Sequence, residues 1–196
     1  MKYTSLILIT LIIQNVFSQN FDSEDWLLFA DENVIEVVVS ESDFITVNDF
    51  RFVFDWDNKL TYSGNIGYYG GIKTMQIYYK DEIINTFSNI EDVIALGEIR
   101  MNFYDYNMDG HLDFTIPISE GKTLWRAYYL FNPILNKFEN YTDWDYLNIQ
   151  KINKETKQIL SHPDGNAFAT NRILYEINGF KIQEIIKILS KYQINL

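Results

Sequence analysis

Alternation with a period of two runs through most of this chain. Phe50, Phe52, Phe54 and Trp56 alternate with Arg51, Val53, Asp55 and Asp57, which puts the four rings on one sheet face. Residues 34–39 are a β-branched run. Residues 72–79 and 83–87 read as strands around Lys80-Asp81-Glu82, and 60–62 as a short strand after a turn at Asp57-Asn58. Ile99, Met101 and Phe103 alternate, as do Phe114, Ile116 and Ile118. Residues 124–131 and 137–139 flank a turn containing Pro133. Residues 142–146 read as a short helix, capped by the side-chain oxygen of Thr142 or Asp143.

The chain end fits two periods. Ile182, Ile185, Ile186 and Leu189 have helical spacing. Asn178-Gly179 tolerates positive φ at both positions, as a type I′ hairpin requires, and this favours strand 172–177, a turn, then strand 180–188. The expected fold is a small all-β single domain of antiparallel strands with one short helix.

The N-terminus follows a different pattern. Lys2 precedes an apolar run over 6–13, broken only by Thr10, and Val16-Phe17-Ser18 offers suitable residues around a cleavage point. This is a secretory signal pattern. The run is shorter than the ~20 residues that span a bilayer. The expected organisation is a signal peptide over 1–18, an acidic and loosely docked lead-in over 19–33, and one domain over 34–196. The expected location is the periplasm or the outside of the cell, in soluble form, without membrane insertion after cleavage.

Composition narrows the function classes. With 196 residues and 47% hydrophobic content, the chain can bury a core. A net charge of −11 argues against a general nucleic-acid binder, which needs a basic footprint. The absence of cysteine excludes a disulfide scaffold, a cysteine zinc site, a cysteine nucleophile and a lipid-modified signal cysteine.

Residues 105–113 carry the sharpest chemistry. They read D-x-N-x-D-G-x-x-D, with Asp105, Asn107 and Asp109 as alternating oxygen donors and Gly110 allowing a sharp bend. His111 contributes its backbone carbonyl, and Asp113 binds directly or through water. Such a donor set suits a structural Ca²⁺. A helix–loop–helix site would place glutamate at position 12, but Ile116 stands there. The flanks alternate with period two, so the expectation is a calcium loop between strands. A missing ligand is expected from a carbonyl, a water or a carboxylate such as Glu120.

From this loop onward, residues 99–188 resemble a family of exported bacterial β-proteins typified by a calcium-binding immunity protein. That family is similar in structure to the periplasmic inhibitors of invertebrate-type lysozyme. The resemblance rests on the loop, then Tyr128-Tyr129-Leu130-Phe131-Asn132-Pro133 closing with Lys137-Phe138, then strand 157–161. A glycine-containing loop over 162–171 and the hairpin around Asn178-Gly179 complete the ordered set. It implies a propeller-like or sandwich-like fold and blockade of a cell-wall hydrolase or lysozyme. The alternative is a calcium-dependent adhesion or glycan-binding module without inhibitory activity.

Ser161, His162, Asp164, Gly165 and Asn166 form the candidate partner-contact loop. An ordinary turn set by Pro163 and Asp164-Gly165 is the competing reading. No catalytic residue is assigned. The only histidines are His111, inside the acidic loop, and His162. The pairs Asp55/Asp57 and Asp143/Asp145 read as solvated rims rather than glycosidase carboxylates. The doublets Tyr68-Tyr69, Tyr78-Tyr79 and Tyr128-Tyr129 read as cross-strand packing before sugar platforms.

Overall fold

The computed structural model describes residues 20–40, 44–56, 61–63, 67–69, 72–88, 90, 98–119, 124–162 and 171–188. The expected signal peptide, the Asp57-Asn58 turn, Glu120 and residues 164–166 lie outside this set. The first eight strands are β1 (Leu27–Leu28), β2 (Ile35–Ser40), β3 (Phe44–Val47), β4 (Phe50–Trp56), β5 (Thr61–Ser63), β6 (Gly67–Tyr69), β7 (Ile72–Tyr79) and β8 (Glu82–Ser88). The next four are β9 (Glu98–Tyr104), β10 (Asp113–Ser119), β11 (Trp125–Asn132) and β12 (Lys137–Asn140). The last four are β13 (Ile149–Asn153), β14 (Gln158–Ser161), β15 (Arg172–Asn178) and β16 (Lys181–Ile188). Among the described residues the only helical turns are two 3-10 segments, Phe29–Asp31 and Thr142–Trp144.

Three open antiparallel sheets hold fourteen of the strands. Their orders are β3-β4-β7-β8, β12-β11-β10-β9-β2 and β1-β13-β14-β15-β16, and β5 and β6 form a separate ribbon. The all-β expectation holds, and no sheet closes into a barrel.

The second sheet is covered on both faces, which explains the continuous apolar run in β11. Ala127, Tyr129 and Phe131 enter one core with Phe52, Met75 and Ile77 from the first sheet. Tyr128 and Leu130 point the other way, into a second core with Ile152, Ile159 and Ile177 of the third sheet. The Tyr128-Tyr129 doublet is therefore split between two cores by the pleat. Phe114 stacks on Tyr129 at 4.6 Å and meets Phe138 and Phe52 edge-on. Such pairs add about 0.5–1.5 kcal/mol each beyond their buried area.

The first and second sheets are also joined at their edges. The Asn85 amide donates to the Phe138 carbonyl at 2.9 Å and accepts from the Phe138 N–H at 2.8 Å. One side chain thus serves both backbone groups of an edge-strand residue, as a neighbouring strand would.

The hairpin turns follow local chemistry. Tyr79 pairs with Glu82, and the loop residues Lys80 and Asp81 both have positive φ, the type I′ pattern. Asn132 and Asn153 each open a four-residue hairpin loop, their Oδ1 atoms accepting from the N–H groups two and three residues on.

Three local expectations change. Asn178 pairs with Lys181, so the last hairpin loop is Gly179-Phe180, and only Gly179 has positive φ. That is the sign pattern of a type II′ turn, with glycine first. The 142–146 segment forms only the 3-10 turn Thr142–Trp144, with Tyr141 at its start and no side-chain cap. Asp145 instead accepts from the Tyr128 N–H at 3.0 Å, so this acid ties the turn to β11. Finally, the acidic lead-in is not loosely docked. Trp26 is buried with Leu160 and Leu174, and β1 pairs with β13. Lys151 reaches the Phe21 carbonyl and Asp22, and Lys154 reaches Glu32. Aromatic anchors spaced among the acids dock the segment as the edge of the third sheet.

Candidate functional site

The acidic loop joins β9 to β10, not two helices, and Tyr104 pairs with Asp113 at its neck. Position 12 of the motif, Ile116, is fully buried in β10. The loop folds around its own carboxylates. Asp105 accepts from the N–H groups of Asp109 at 2.9 Å and Gly110 at 2.8 Å. Asp109 accepts from the His111 N–H and the Asn107 amide, both at 2.9 Å. Asn107 Oδ1 accepts from the Asp109 N–H at 3.3 Å. Met108 and Gly110 take positive φ, +59° and +90°, to complete the bend.

Asp113 has a different role. Its side chain is wholly buried. Oδ2 accepts from the Tyr106 N–H at 2.9 Å and the Asn107 N–H at 3.4 Å, and Oδ1 accepts from the Phe131 N–H at 2.8 Å. It knots the loop to β11. Burial pushes its pKa well up, the backbone N–H groups of Phe131 and Tyr106 oppose this, and the charges of Asp109 and Asp105 add to the rise.

The donor chemistry fits a hard cation. Asp105, Asn107 and Asp109 present oxygens on one short loop, and each carboxylate oxygen has two acceptor sites, so one N–H bond leaves room for a metal. Among the described residues, no Lys or Arg forms an ion pair with Asp105, Asp109 or Asp113. Three acids packed without a cation repel one another, and a divalent ion would offset two of the charges. No three acidic or histidine side chains among the described residues form a ready coordination shell. Asp105, Asn107, Asp109 and the His111 carbonyl are the groups that would hold calcium, with Asp113 shaping the loop. The His111 ring is turned away toward Phe131, 5.6 Å between centroids.

The contact loop starts at the end of β14 away from the β13–β14 turn. Near the acidic loop lie the β13–β14 turn, through Lys154 over the Tyr104 ring, and the β11 end at Phe131. At the far end, Tyr146 N–H bonds the Arg126 carbonyl near the start of β11. There Ser161 Oγ donates to the Asn148 carbonyl at 3.0 Å and accepts from the Asn148 N–H at 3.2 Å. The His162 N–H also donates to Asn148 O, at 2.9 Å.

Comparison with family models, curated proteins and solved structures finds no match.

Ser161 and His162 are only 3% and 9% exposed, so they cannot serve as contact tips. They anchor the root of the loop to the segment before β13. The candidate contacts left in this loop are Asp164, Gly165 and Asn166. Asp145, read from the sequence as a solvated rim acid, and Tyr146, read only as the end of a short helix, stand at the same end. Asp143 is exposed, as a rim acid should be, but its partner Asp145 is half-buried and bonded to β11. Burial raises the Asp145 pKa, opposed by the Tyr128 N–H and the Asn140 amide. Tyr146 is 59% exposed at φ +67°. The cue available in the sequence was an aromatic directly after the turn-forming Asp143-Trp144-Asp145, outside any alternation.

Proposed function

We propose that this chain is an exported, calcium-stabilised binding domain that blocks a peptidoglycan hydrolase or lysozyme. The observation that carries this reading is the division of labour between the two ends. At one end, an uncompensated acidic loop closes β9 to β10, where a structural cation would offset the repulsion of its acids. At the other end, Ser161 and His162 are buried and hydrogen-bonded to Asn148, directly before the segment that holds Asp164, Gly165 and Asn166. A rigid root lowers the ordering cost of placing Asp164, Gly165 and Asn166 into an enzyme's cleft. Three sheets sharing two cores fit the propeller-like or sandwich-like arrangement that the resemblance implies. The acidic surplus would speed encounter with a basic hydrolase.

The test is lysis of purified peptidoglycan by a panel of lysozymes, glycosidases and amidases, with the mature protein added in calcium. Stoichiometric slowing of one enzyme class is the expected result. No slowing anywhere, together with glycan binding, would assign the chain to the adhesion or glycan-binding alternative. Extracellular calcium modules bind at about 10⁻⁴–10⁻³ M, so the assay needs millimolar calcium.

A further inference from the structure

A cleft of about 390 Å³ opens at the end of the first core, on the side away from the acidic loop. This volume lies toward the small end of ligand sites, which span about 300–1,000 Å³. Ile90, Ile118 and the edge-to-face pair of Phe87 and Tyr129 line its apolar side. Asn140, Thr142, Asp145 and Tyr146 line its polar side. Among the described residues, no Lys, Arg or His lines it.

Tyr146 is the unusual member. Its exposed ring gains little from burial, yet its backbone adopts a positive φ that bulky residues disfavour. The turn is held there by the Tyr146 N–H to Arg126 O bond and by Asp145 on β11. Trp125 lies beside it, 6.0 Å between ring centroids. The strained position fixes an aromatic face at the cleft rim. Asp145 Oδ1 is used by Tyr128 and Asn140, while Oδ2 has no hydrogen-bond donor among the described residues.

We propose that this cleft binds one ring of a neutral saccharide, with Tyr146 stacked on its C–H face and Asp145 Oδ2 accepting from a hydroxyl. A lone carboxylate with no lining cation among the described residues repels an anionic ligand. A purely apolar ligand would desolvate Oδ2 without supplying a donor. A pyranose supplies both an apolar face for the aromatic side and hydroxyl donors for the polar side. The proposal is separate from hydrolase blockade, because saccharide titration reads the cleft and the lysis assay reads the loop.

The experiment is calorimetric titration of the mature protein with cellotetraose, chitotetraose, xylotetraose and mannotetraose. At least one of them is expected to bind saturably. Tyr146→Gly should weaken that binding by about tenfold or more. Its melting temperature should hold or rise, because glycine relieves the positive φ. Tyr146→Phe keeps the ring and should stay within about threefold of the parent affinity. Three results would overturn the assignment: no saturation by any of the four up to about 20 mM, unchanged affinity in Tyr146→Gly, or a lowered melting temperature in that variant, which would make the ring a structural plug.

Discussion

Replacing Asp113 with alanine separates the two roles that an acidic loop combines. Asp113 accepts two short backbone bonds, from Tyr106 at 2.9 Å and Phe131 at 2.8 Å. Both donors belong to buried residues. Each buried N–H left without a partner costs about 1–3 kcal/mol. Removing a buried carboxylate with a strongly raised pKa returns part of that loss. The net destabilisation is about 2–4 kcal/mol, or roughly 4–16 °C in Tm for a domain of this size. The assay is a thermal melt of Asp113→Ala and Asp109→Ala, each in chelator and in millimolar calcium. Asp113→Ala should melt low in both conditions, because the knot to β11 does not need the metal. Asp109→Ala should match the parent closely in chelator and lose the upward shift with calcium. That shift is about 1.4 kcal/mol at tenfold excess over Kd. If Asp113→Ala melts within about 2 °C of the parent in chelator and falls behind only in calcium, Asp113 is a ligand and the knot argument is refuted. An unchanged calcium shift in Asp109→Ala removes the metal assignment.

Two further outcomes follow from the contacts between elements. Asn85→Ala strands both backbone groups of Phe138, which is 2% exposed, and should cost about 2–4 kcal/mol in urea unfolding; a loss below about 0.5 kcal/mol would show that the edge bridge is dispensable. Burial works to raise the Glu32 pKa, but hydrogen bonds from Lys154 and Tyr104 outweigh it and hold the carboxyl below the ordinary 4.5. This stabilisation is therefore present above pH 4.5 and is lost as pH falls through the lower folded value. The parent should lose on the order of 1 kcal/mol more than Glu32→Gln between about pH 6 and pH 3, and parallel pH profiles would contradict the pairing.

Much of the strand pattern was legible in the residues. The alternation of Phe50, Phe52 and Phe54 is a local property, and β4 buries those three rings. The strand over 72–79 has the observed bounds of β7. Strands β3 and β13 went unread, although Ile45-Thr46-Val47 and Ile149 with Ile152 carried β-branched cues. The lead-in looked loose because its acids outnumber its anchors in sequence. Trp26 acts through Leu160 and Leu174, more than a hundred residues away, and no local pattern records that.

The same division holds at the candidate sites. The oxygen-rich loop over 105–113 is visible residue by residue, since alternating donors and a bend at Gly110 are encoded within nine positions. Assigning Asp113 to the backbone knot required β11 to be in place, because its partner Phe131 is eighteen residues on. Burial of Ser161 and His162 likewise depends on Asn148, thirteen residues before Ser161. Period and turn chemistry act between neighbours, so the order of residues suffices to specify strands, hairpins and the metal-like loop. Which polar side chains are spent inside, and which remain at a surface, depends on which sheet covers which face, and only the packed fold decides that.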